Sequence, residues 1–210
     1  MKRTLIMNSR NLFKAIIPAT FILLATACDK HPDILGTWNA TPTRINNISA
    51  AADAMSTMSI SFTYSPEGQT DHGQVIISSL IDANQPVSPT DPAVDEAYEV
   101  SVAATAVISG DWTYEDHDDD DILLFLNPAT LQINVDPSGV TFSNNILTQR
   151  QQPEIDSLSA VTAQLWKASI AKAMKQQFSG LQKISDIKIR NGIMSCEIED
   201  RDFTFRKSGE

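Results

Sequence analysis

The densest group of metal-binding side chains in this sequence is the acidic run Asp-His-Asp-Asp-Asp-Asp over residues 116–121. Carboxylate oxygens are the ligands that Ca²⁺ prefers in proteins, so the run is a candidate calcium site. It does not match the EF-hand loop, because Asp121 stands where that loop has its turn glycine and Asn127 where it has a bidentate glutamate. A solvated hairpin tip whose charges prevent edge-to-edge association explains the same run, and we favour that interpretation. The alternate carboxylates of the candidate site are Asp116, Asp118 and Asp120.

Nucleophilic catalysis has little support in the sequence. There is no Gly-x-Ser-x-Gly motif and no glycine-rich phosphate loop, and the histidines at positions 31, 72 and 117 are too scattered for a zinc site. Cys196 falls on the inward face of a predicted hairpin, which is typical of a small buried hydrophobic side chain. A hydrolase built on scattered carboxylates stays open, but three Trp and three Tyr are few for a sugar-binding cleft. We therefore expect a protein that is not an enzyme and that holds no cofactor.

Charge is distributed unevenly along the chain. The formal net charge is −10, and the segment from Ile45 to Gln149 contains sixteen Asp and Glu and no Lys or Arg. From Arg150 onward there are ten basic and eight acidic residues. An acidic surface disfavours unassisted binding to nucleic acid, whose phosphates need basic contacts. The asymmetry also suggests that the C-terminal part packs beside an acidic sheet and partly neutralises it, while a simply solvated acidic surface is the alternative.

The first residues have the pattern of an export signal. Every charge before residue 28 is positive, and the apolar stretch over residues 12–27 is interrupted by Lys14 and Pro18. A bilayer span needs roughly 20 apolar residues, so this stretch favours a signal peptide. The residues directly before Cys28, Leu-Ala-Thr-Ala, resemble the bacterial lipobox, in which the cysteine is acylated and becomes the new N-terminus. An ordinary signal peptide with an incidental cysteine is the alternative.

This resemblance sets the expected domain organisation. We expect residues 1–27 to be a lipoprotein signal peptide, residues 28–35 a tether and residues 36–210 a single β-rich domain. Palmitate-type acyl chains on Cys28 would act as the membrane anchor, since each buried CH₂ contributes about 0.8 kcal/mol. The expected location is the bacterial cell envelope, at the outer membrane, with the periplasmic or surface side left open.

Alternating apolar and polar residues predict a series of strands. Gly36-Thr37-Trp38 marks the start of the first strand, and the alanine-rich residues 46–58 favour a short helix. Residues 82–92 contain three prolines and are expected to be a loop, because proline cannot join a sheet interior. Strand patterns cover residues 58–64, 74–81, 98–108, 122–126, 131–135 and 203–205.

One long helix and a closing hairpin complete the predicted fold. Residues 155–178 contain no Gly or Pro and are rich in Ala, Gln, Lys and Leu, which predicts a helix. Asn191-Gly192 is a strong signal for a two-residue turn that pairs Arg190 with Ile193. The predicted fold class is mainly β with one long helix: an antiparallel barrel or sandwich of about eight strands, the helix near residues 155–178, and a C-terminal hairpin.

The helix sequence has two apolar stripes, which are offset by about a quarter-turn at roughly 100° per residue. The first stripe contains Leu158, Val161 and Leu165, and the second contains Trp166, Ile170, Ala173, Met174 and Phe178. Its lysines could face an anionic membrane, pair with the acidic tract or be solvated; they are Lys167, Lys172 and Lys175.

Taken together, these features resemble the lipocalin-like lipoproteins of Bacteroidetes-type bacteria. The matching positions are the lipobox Cys28, the Gly-x-Trp motifs at Gly36-Trp38 and Gly110-Trp112, the strand and turn at 62–68, and the closing residues 203–207. In lipocalins the tryptophan plugs the closed end of the barrel and a late basic residue packs across it. The resemblance therefore implies Trp38 as the plug and Arg206 as its partner. The chain departs from the family in placing its helix before the last hairpin.

The resemblance implies a non-catalytic, lipid-anchored envelope protein that binds a small hydrophobic ligand or acts as an accessory domain. A ligand would lie in the barrel mouth or between sheet and helix, although the same side chains could simply fill the core. The alternative function is a protein-interaction or assembly subunit of an envelope complex, whose acidic surface docks a basic partner. The candidate ligand-lining residues are Phe62, Tyr64, Val100, Val102, Trp112 and Leu124.

Overall fold

The structure is a computed structural model, and it describes residues 31–44, 53–66, 70–87, 98–115, 118–143, 151–180 and 182–209. One compact unit, Pro32–Glu210, contains every core residue in these ranges, from Ile34 to Phe205. This unit therefore has a hydrophobic core of its own, which is what a domain needs to fold without the residues before it.

The described part of the unit consists of eleven strands and one long helix, α1 (Gln152–Gly180). Short 3₁₀ turns at Pro128–Thr130 and Pro137–Gly139 precede the seventh and eighth strands. The strands are β1 (Gly36–Ala40), β2 (Thr43–Arg44), β3 (Asp53–Tyr64), β4 (His72–Val87), β5 (Tyr98–Glu115), β6 (Asp118–Leu126), β7 (Gln132–Val135), β8 (Thr141–Phe142), β9 (Lys183–Arg190), β10 (Ile193–Ile198) and β11 (Arg201–Lys207).

Eight of these strands close into an antiparallel barrel. Their order around the barrel follows the chain: β1, β3, β4, β5, β6, β9, β10 and β11. β1 completes the ring because Trp38 lies opposite Ile60 of β3 on one side and opposite Lys207 of β11 on the other. The predicted mainly β fold with one long helix is confirmed, and of the two predicted architectures the structure has the barrel.

The first half of β5 lies outside the β5–β6 pairing. Residues 100–107 pair with β8 and β7, whereas residues 110–115 pair with β6. Helix α1 packs on β5, β7 and the 3₁₀ turn before β8. The long hairpin of β4 and β5 thus extends the sheet beyond β6, and α1 packs on the β5 part of that extension.

Two predictions about local structure are wrong. Residues 53–58, expected to be helical, form the first half of β3, which pairs with β2 and β4; residues 45–52 of that predicted helix lie outside the described residues. β4 also continues through Pro86, in the predicted loop. β4 reaches Pro86 because it pairs with β5 as far as Val87, and among the described residues its pairing with β3 ends at Asn84.

The predicted helix is confirmed, and only its second apolar stripe is buried. Leu165 and Val161 of the first stripe are 68% and 56% exposed, because that face of α1 points away from the sheet. Ser159 and Ala163 add to the buried face, which otherwise consists of the predicted second stripe: Trp166, Ile170, Ala173, Met174 and Phe178.

The turn of the C-terminal hairpin has the predicted register. Arg190 pairs with Ile193, and both Asn191 and Gly192 have positive φ, at 50° and 70°. A type I′ turn requires positive φ at both central residues, so the Asn-Gly signal is explained. Continued along the hairpin, the predicted register would pair Ile187 with Cys196, but a β-bulge between Ser195 and Glu197 removes that pairing, although both side chains stay buried.

Candidate functional site

Large side chains fill the end of the barrel at which β1 begins. Trp38, Phe62, Trp112 and Phe205 are each at most 1% exposed. The rings of Phe62 and Trp112 meet edge to face, with centroids 6.0 Å apart. The indole N–H of Trp112 donates to the carbonyl oxygen of Thr63 at 3.1 Å, so the polar atom of this buried ring has a partner. This end of the barrel is packed core.

Trp38, the predicted plug, is buried in the core, and the basic residue that contacts its ring is Lys207 rather than Arg206. The ammonium of Lys207 lies 5.4 Å from the centroid of the Trp38 ring, within the range of a cation–π contact. Lys207 lies opposite Trp38 in the sheet, whereas Arg206 lies opposite Asn39 and is exposed. Successive side chains of a strand point to opposite faces, so Arg206 cannot reach the ring from its position.

The segment before β1 belongs to the barrel, which shortens the predicted tether. Ile34 is 1% exposed, and its carbonyl oxygen accepts the indole N–H of Trp38 at 2.6 Å. The hydroxyl of Tyr114 on β5 donates to the carbonyl oxygen of Pro32, also at 2.6 Å. The compact unit begins at Pro32, so residues 32–35, which were expected to be part of the tether, pack on the domain.

The six candidate ligand-lining residues do not form one site. Trp112 lies opposite Leu124 in the sheet and contacts Phe62, and all three are buried inside the barrel. Tyr64 lies at the end of β3, 40% exposed, with its ring 6.3 Å from that of Trp112.

The other two candidates are buried far from this cluster. Val100 and Val102 are 4% and 3% exposed and lie on the half of β5 that carries α1. At about 3.3 Å per residue, the strand places Val100 roughly 40 Å from Trp112. A single small ligand cannot contact both groups of residues.

A cleft of about 920 Å³ lies beside the barrel, between the second half of β6 and the C-terminal end of α1. It exists because β9 pairs with β6 only at Ile122 and Leu123, so the rest of β6 has α1 rather than a strand on that side. Ile108 and Phe178 are buried in its walls, while Phe125 is 59% exposed. The residues that line it are Ile108, Leu123, Leu124, Phe125, Leu126, Asn127, Pro128, Lys175, Phe178, Ser179, Gln182 and Lys183.

One of the two lysines in the cleft is bound by carboxylates. The ammonium of Lys183 lies 2.6 Å from a carboxylate oxygen of Asp121 and 2.7 Å from one of Glu115. Hydrogen bonds to Asp121 and then to Glu115 raise the pKa of Lys183 above its ordinary value, so it stays charged. Asp121 is 5% exposed and also accepts the backbone N–H of Asp186, which joins β6 to β9 where the two strands meet.

Lys175 is the other cation of the cleft. It lies on the last turns of α1, four residues before Ser179, so both side chains face the same side of the helix. In the part of the chain that the structure describes, Lys175 forms no ion pair with a carboxylate. Within the described residues its charge is therefore not paired, unlike that of Lys183.

The candidate calcium site is only partly described. Asp116 lies outside the described residues, the structure gives only the backbone of Asp118, and Asp120 lies on β6 with its side chain half-buried. Among the residues whose side chains are described, no three His, Cys, Asp or Glu form a metal-binding group. Asp121, at the end of the same run, is bound by Lys183, so at least one of these carboxylates has a structural partner.

The sequence interpretation missed the residues that form the cleft, apart from Leu124. One available signal was the run Leu123-Leu124-Phe125-Leu126, which is apolar on both faces of its strand and therefore needs a partner outside the barrel. A second signal was the absence of Asp and Glu from residues 157–185, which contain Lys175 and Lys183. Both signals are local, and neither shows that the two segments meet.

The comparisons with known proteins add no relative. No protein-family model matches the chain, and a search of curated proteins finds no similar sequence. Among the described residues, no helix combines the length and the apolar character that crossing a membrane requires.

Proposed function

We propose that this protein is a lipid-anchored lipoprotein of the bacterial envelope whose lipocalin-like domain binds a small hydrophobic ligand without catalysing a reaction. The observation that carries the proposal is the apolar cleft between β6 and α1, beside a barrel end that is filled by its own side chains. Its volume of about 920 Å³ lies within the range of about 300–1,000 Å³ that is usual for small-molecule sites.

Two features of the cleft favour a ligand over simple packing. Phe125 keeps 59% of its surface exposed at the cleft, an arrangement that costs free energy unless something apolar covers the ring. The cleft also combines apolar walls with several polar side chains, which is the usual composition of a small-molecule site.

The lipocalin-like assignment is supported by the order of the strands. Each barrel strand neighbours the next barrel strand along the chain, which is the up-and-down arrangement that lipocalins share. The contact of Lys207 with the Trp38 ring supports the resemblance in kind, since a late basic residue packs on a tryptophan of the first strand, although the resemblance implied Arg206. The lipid anchor and the outer-membrane location rest on the lipobox-like residues before Cys28 and on the preceding signal pattern.

Mass spectrometry of organic extracts tests the ligand. The protein is purified from its own envelope, and residues 29–210, produced without the anchor, serve as the control. We expect a stoichiometric hydrophobic molecule in the extract beyond the acyl chains of Cys28. An extract that contains only those acyl chains would count against a bound ligand and favour the second candidate function below.

Cell fractionation tests the anchor separately. Cys28→Ser should move the protein from the membrane fraction to the soluble envelope fraction, because the acylated thiol is removed. Unchanged fractionation would refute lipidation at Cys28 and leave the ligand proposal standing.

A second candidate function, an assembly subunit, is favoured by the outer face of the sheet. Ile76 and Leu80 of β4 are 48% and 61% exposed, and Val107 of β5, 37% exposed, lies diagonally between them in the register. A partner would also meet the acidic segment from Ile45 to Gln149. Salt-sensitive crosslinking to one envelope protein, abolished by Leu80→Ser, would support this function, and unchanged crosslinking of that variant would exclude this face.

A further inference from the structure

We infer that the cleft between β6 and α1 takes a single-chain anionic amphiphile, with its acyl chain along β6 and its head group at Lys175. The inference rests on the proposed function, because it names the chemical class of the ligand. Its lining combines buried side chains of the barrel, Ile108 and Leu124, with residues of α1.

The acyl chain is assigned to the side of the cleft that β6 forms. The side chains of Leu123 and Phe125 point outward from that strand, because Leu124 between them is buried inside the barrel. Phe178 of α1 and Ile108 of β5 close the cleft from behind. A flexible apolar chain can follow such a strip, since burial of apolar area is non-directional and needs no hydrogen-bond partner.

The head group is assigned by charge. Lys183 is bound by Asp121 and Glu115, so the charge of Lys175 is the cleft's available cation in the described part of the chain. Ser179, one turn further along α1, lies on the same side of the helix, and its hydroxyl donates to the carbonyl oxygen of Gln176 at 2.7 Å. A carboxylate or a phosphate monoester would therefore bind Lys175, and an uncharged alcohol would lose the charge-assisted contact.

Displacement of the neutral dye N-phenyl-1-naphthylamine from residues 29–210 tests the inference. The competitors are dodecanoate, dodecyl phosphate and dodecanol, which share one chain and differ in the head group. We expect at least one of the anions to bind about five-fold more tightly than dodecanol, which corresponds to a charge-assisted contact at a partly exposed site. The tighter of the two anions identifies the head group as carboxylate or phosphate.

Variants in matched pairs locate the site. Lys175→Gln should weaken the preferred anion about five-fold and leave dodecanol unchanged, and Lys175→Arg should restore binding. Lys172→Gln is the control, because Lys172 is an exposed lysine of the same helix that does not line the cleft. Phe125→Ser should weaken all three competitors, whereas Leu165→Ser, which also removes an exposed apolar side chain, should not.

A third pair keeps the test decisive if Phe125→Ser fails to fold. Ser179→Trp fills the cleft from an exposed position and should abolish displacement, whereas Ser157→Trp, at the other end of the helix, should not. Dodecanol binding as tightly as both anions would overturn the anionic head group and leave a hydrophobic ligand possible. Equal effects of Ser179→Trp and Ser157→Trp would overturn the location. Failure of all three competitors would overturn the ligand class, while the extract from the native envelope would still decide the proposed function.

Discussion

Truncating Ile34 should destabilise the domain as a core substitution does, although this residue comes before the first strand. Ile34 is 1% exposed and lies in the core cluster with Trp38. Replacing a buried isoleucine by alanine removes apolar contacts and leaves a cavity, which costs about 2–5 kcal/mol. We expect Ile34→Ala to lower the free energy of unfolding by about 3 kcal/mol, because the site is well packed but lies at the end of the barrel. For a domain of this size, that loss corresponds to a fall in Tm of roughly 9 °C.

Urea unfolding of residues 29–210, followed by tryptophan fluorescence, measures this loss. The three tryptophans Trp38, Trp112 and Trp166 are all buried and report on the barrel and the helix together. Leu165→Ala is the matched control, since Leu165 is 68% exposed and its truncation should change the free energy of unfolding by less than about 0.5 kcal/mol.

An Ile34→Ala variant within about 0.5 kcal/mol of the original chain would refute the packing of residues 32–35 and restore the predicted tether. A second measurement separates loss of the isoleucine side chain from loss of the whole segment. Tyr114→Phe removes the hydrogen bond to Pro32 and should cost about 1 kcal/mol. If the segment docks as a unit, the double variant should show a coupling of at least about 0.5 kcal/mol.

Three further predictions follow from the strands, the ion pairs and the buried thiol. Gly73→Ala should cost at least about 2 kcal/mol in urea unfolding, because a Cβ there would overlap a carbonyl oxygen of β3, whereas Gly139→Ala, with open space around its Cβ, should be nearly neutral. The carboxylates around Lys183 raise its pKa above the ordinary 10.5, so their stabilisation is complete below that pH and is lost as the pH rises through the raised pKa. Asp121→Asn should therefore bring alkaline unfolding to lower pH, and an unchanged alkaline midpoint would contradict the ion pair. Burial raises the pKa of the Cys196 thiol to about 12, so iodoacetamide at pH 8 should label it only as fast as the domain opens; rapid labelling of the folded protein would show that the thiol is accessible.

The strands and the hairpin were largely predictable because they depend on neighbouring residues. A period of two puts every second side chain on the same face, and residues 98–108 form part of β5 with Val100, Val102, Ala104, Ala106 and Ile108 all buried. The Asn191-Gly192 turn is likewise set by the φ angles that its two residues adopt readily. Where a partner strand decides the outcome, local pattern was not enough: residues 53–58 look helical, yet β3 lies between β2 and β4.

The candidate site was much less predictable, because alternation identifies a buried face but not what covers it. Phe62, Val100 and Trp112 have the same pattern, yet Phe62 and Trp112 pack against each other inside the barrel while Val100 is buried in the distant half of β5. Which basic residue lies opposite Trp38 depends on the exact register of β1 and β11. A difference of one residue in that register decides between Arg206 and Lys207.

The sequence by itself determined the mainly β character, the long helix, the closing hairpin and the sign of the surface charge, since each of these is a sum of local preferences and composition. Only the tertiary structure decided that β1 pairs with both β3 and β11, that Ile34 is part of the core, and that β9 begins opposite Leu123 of β6. Beyond Leu123, β6 therefore borders the cleft that Lys175 of α1 also lines. Such contacts join residues that are far apart in the chain. Their free energy depends on which surfaces of the closed barrel remain for the helix to cover, and no local segment of the sequence encodes that.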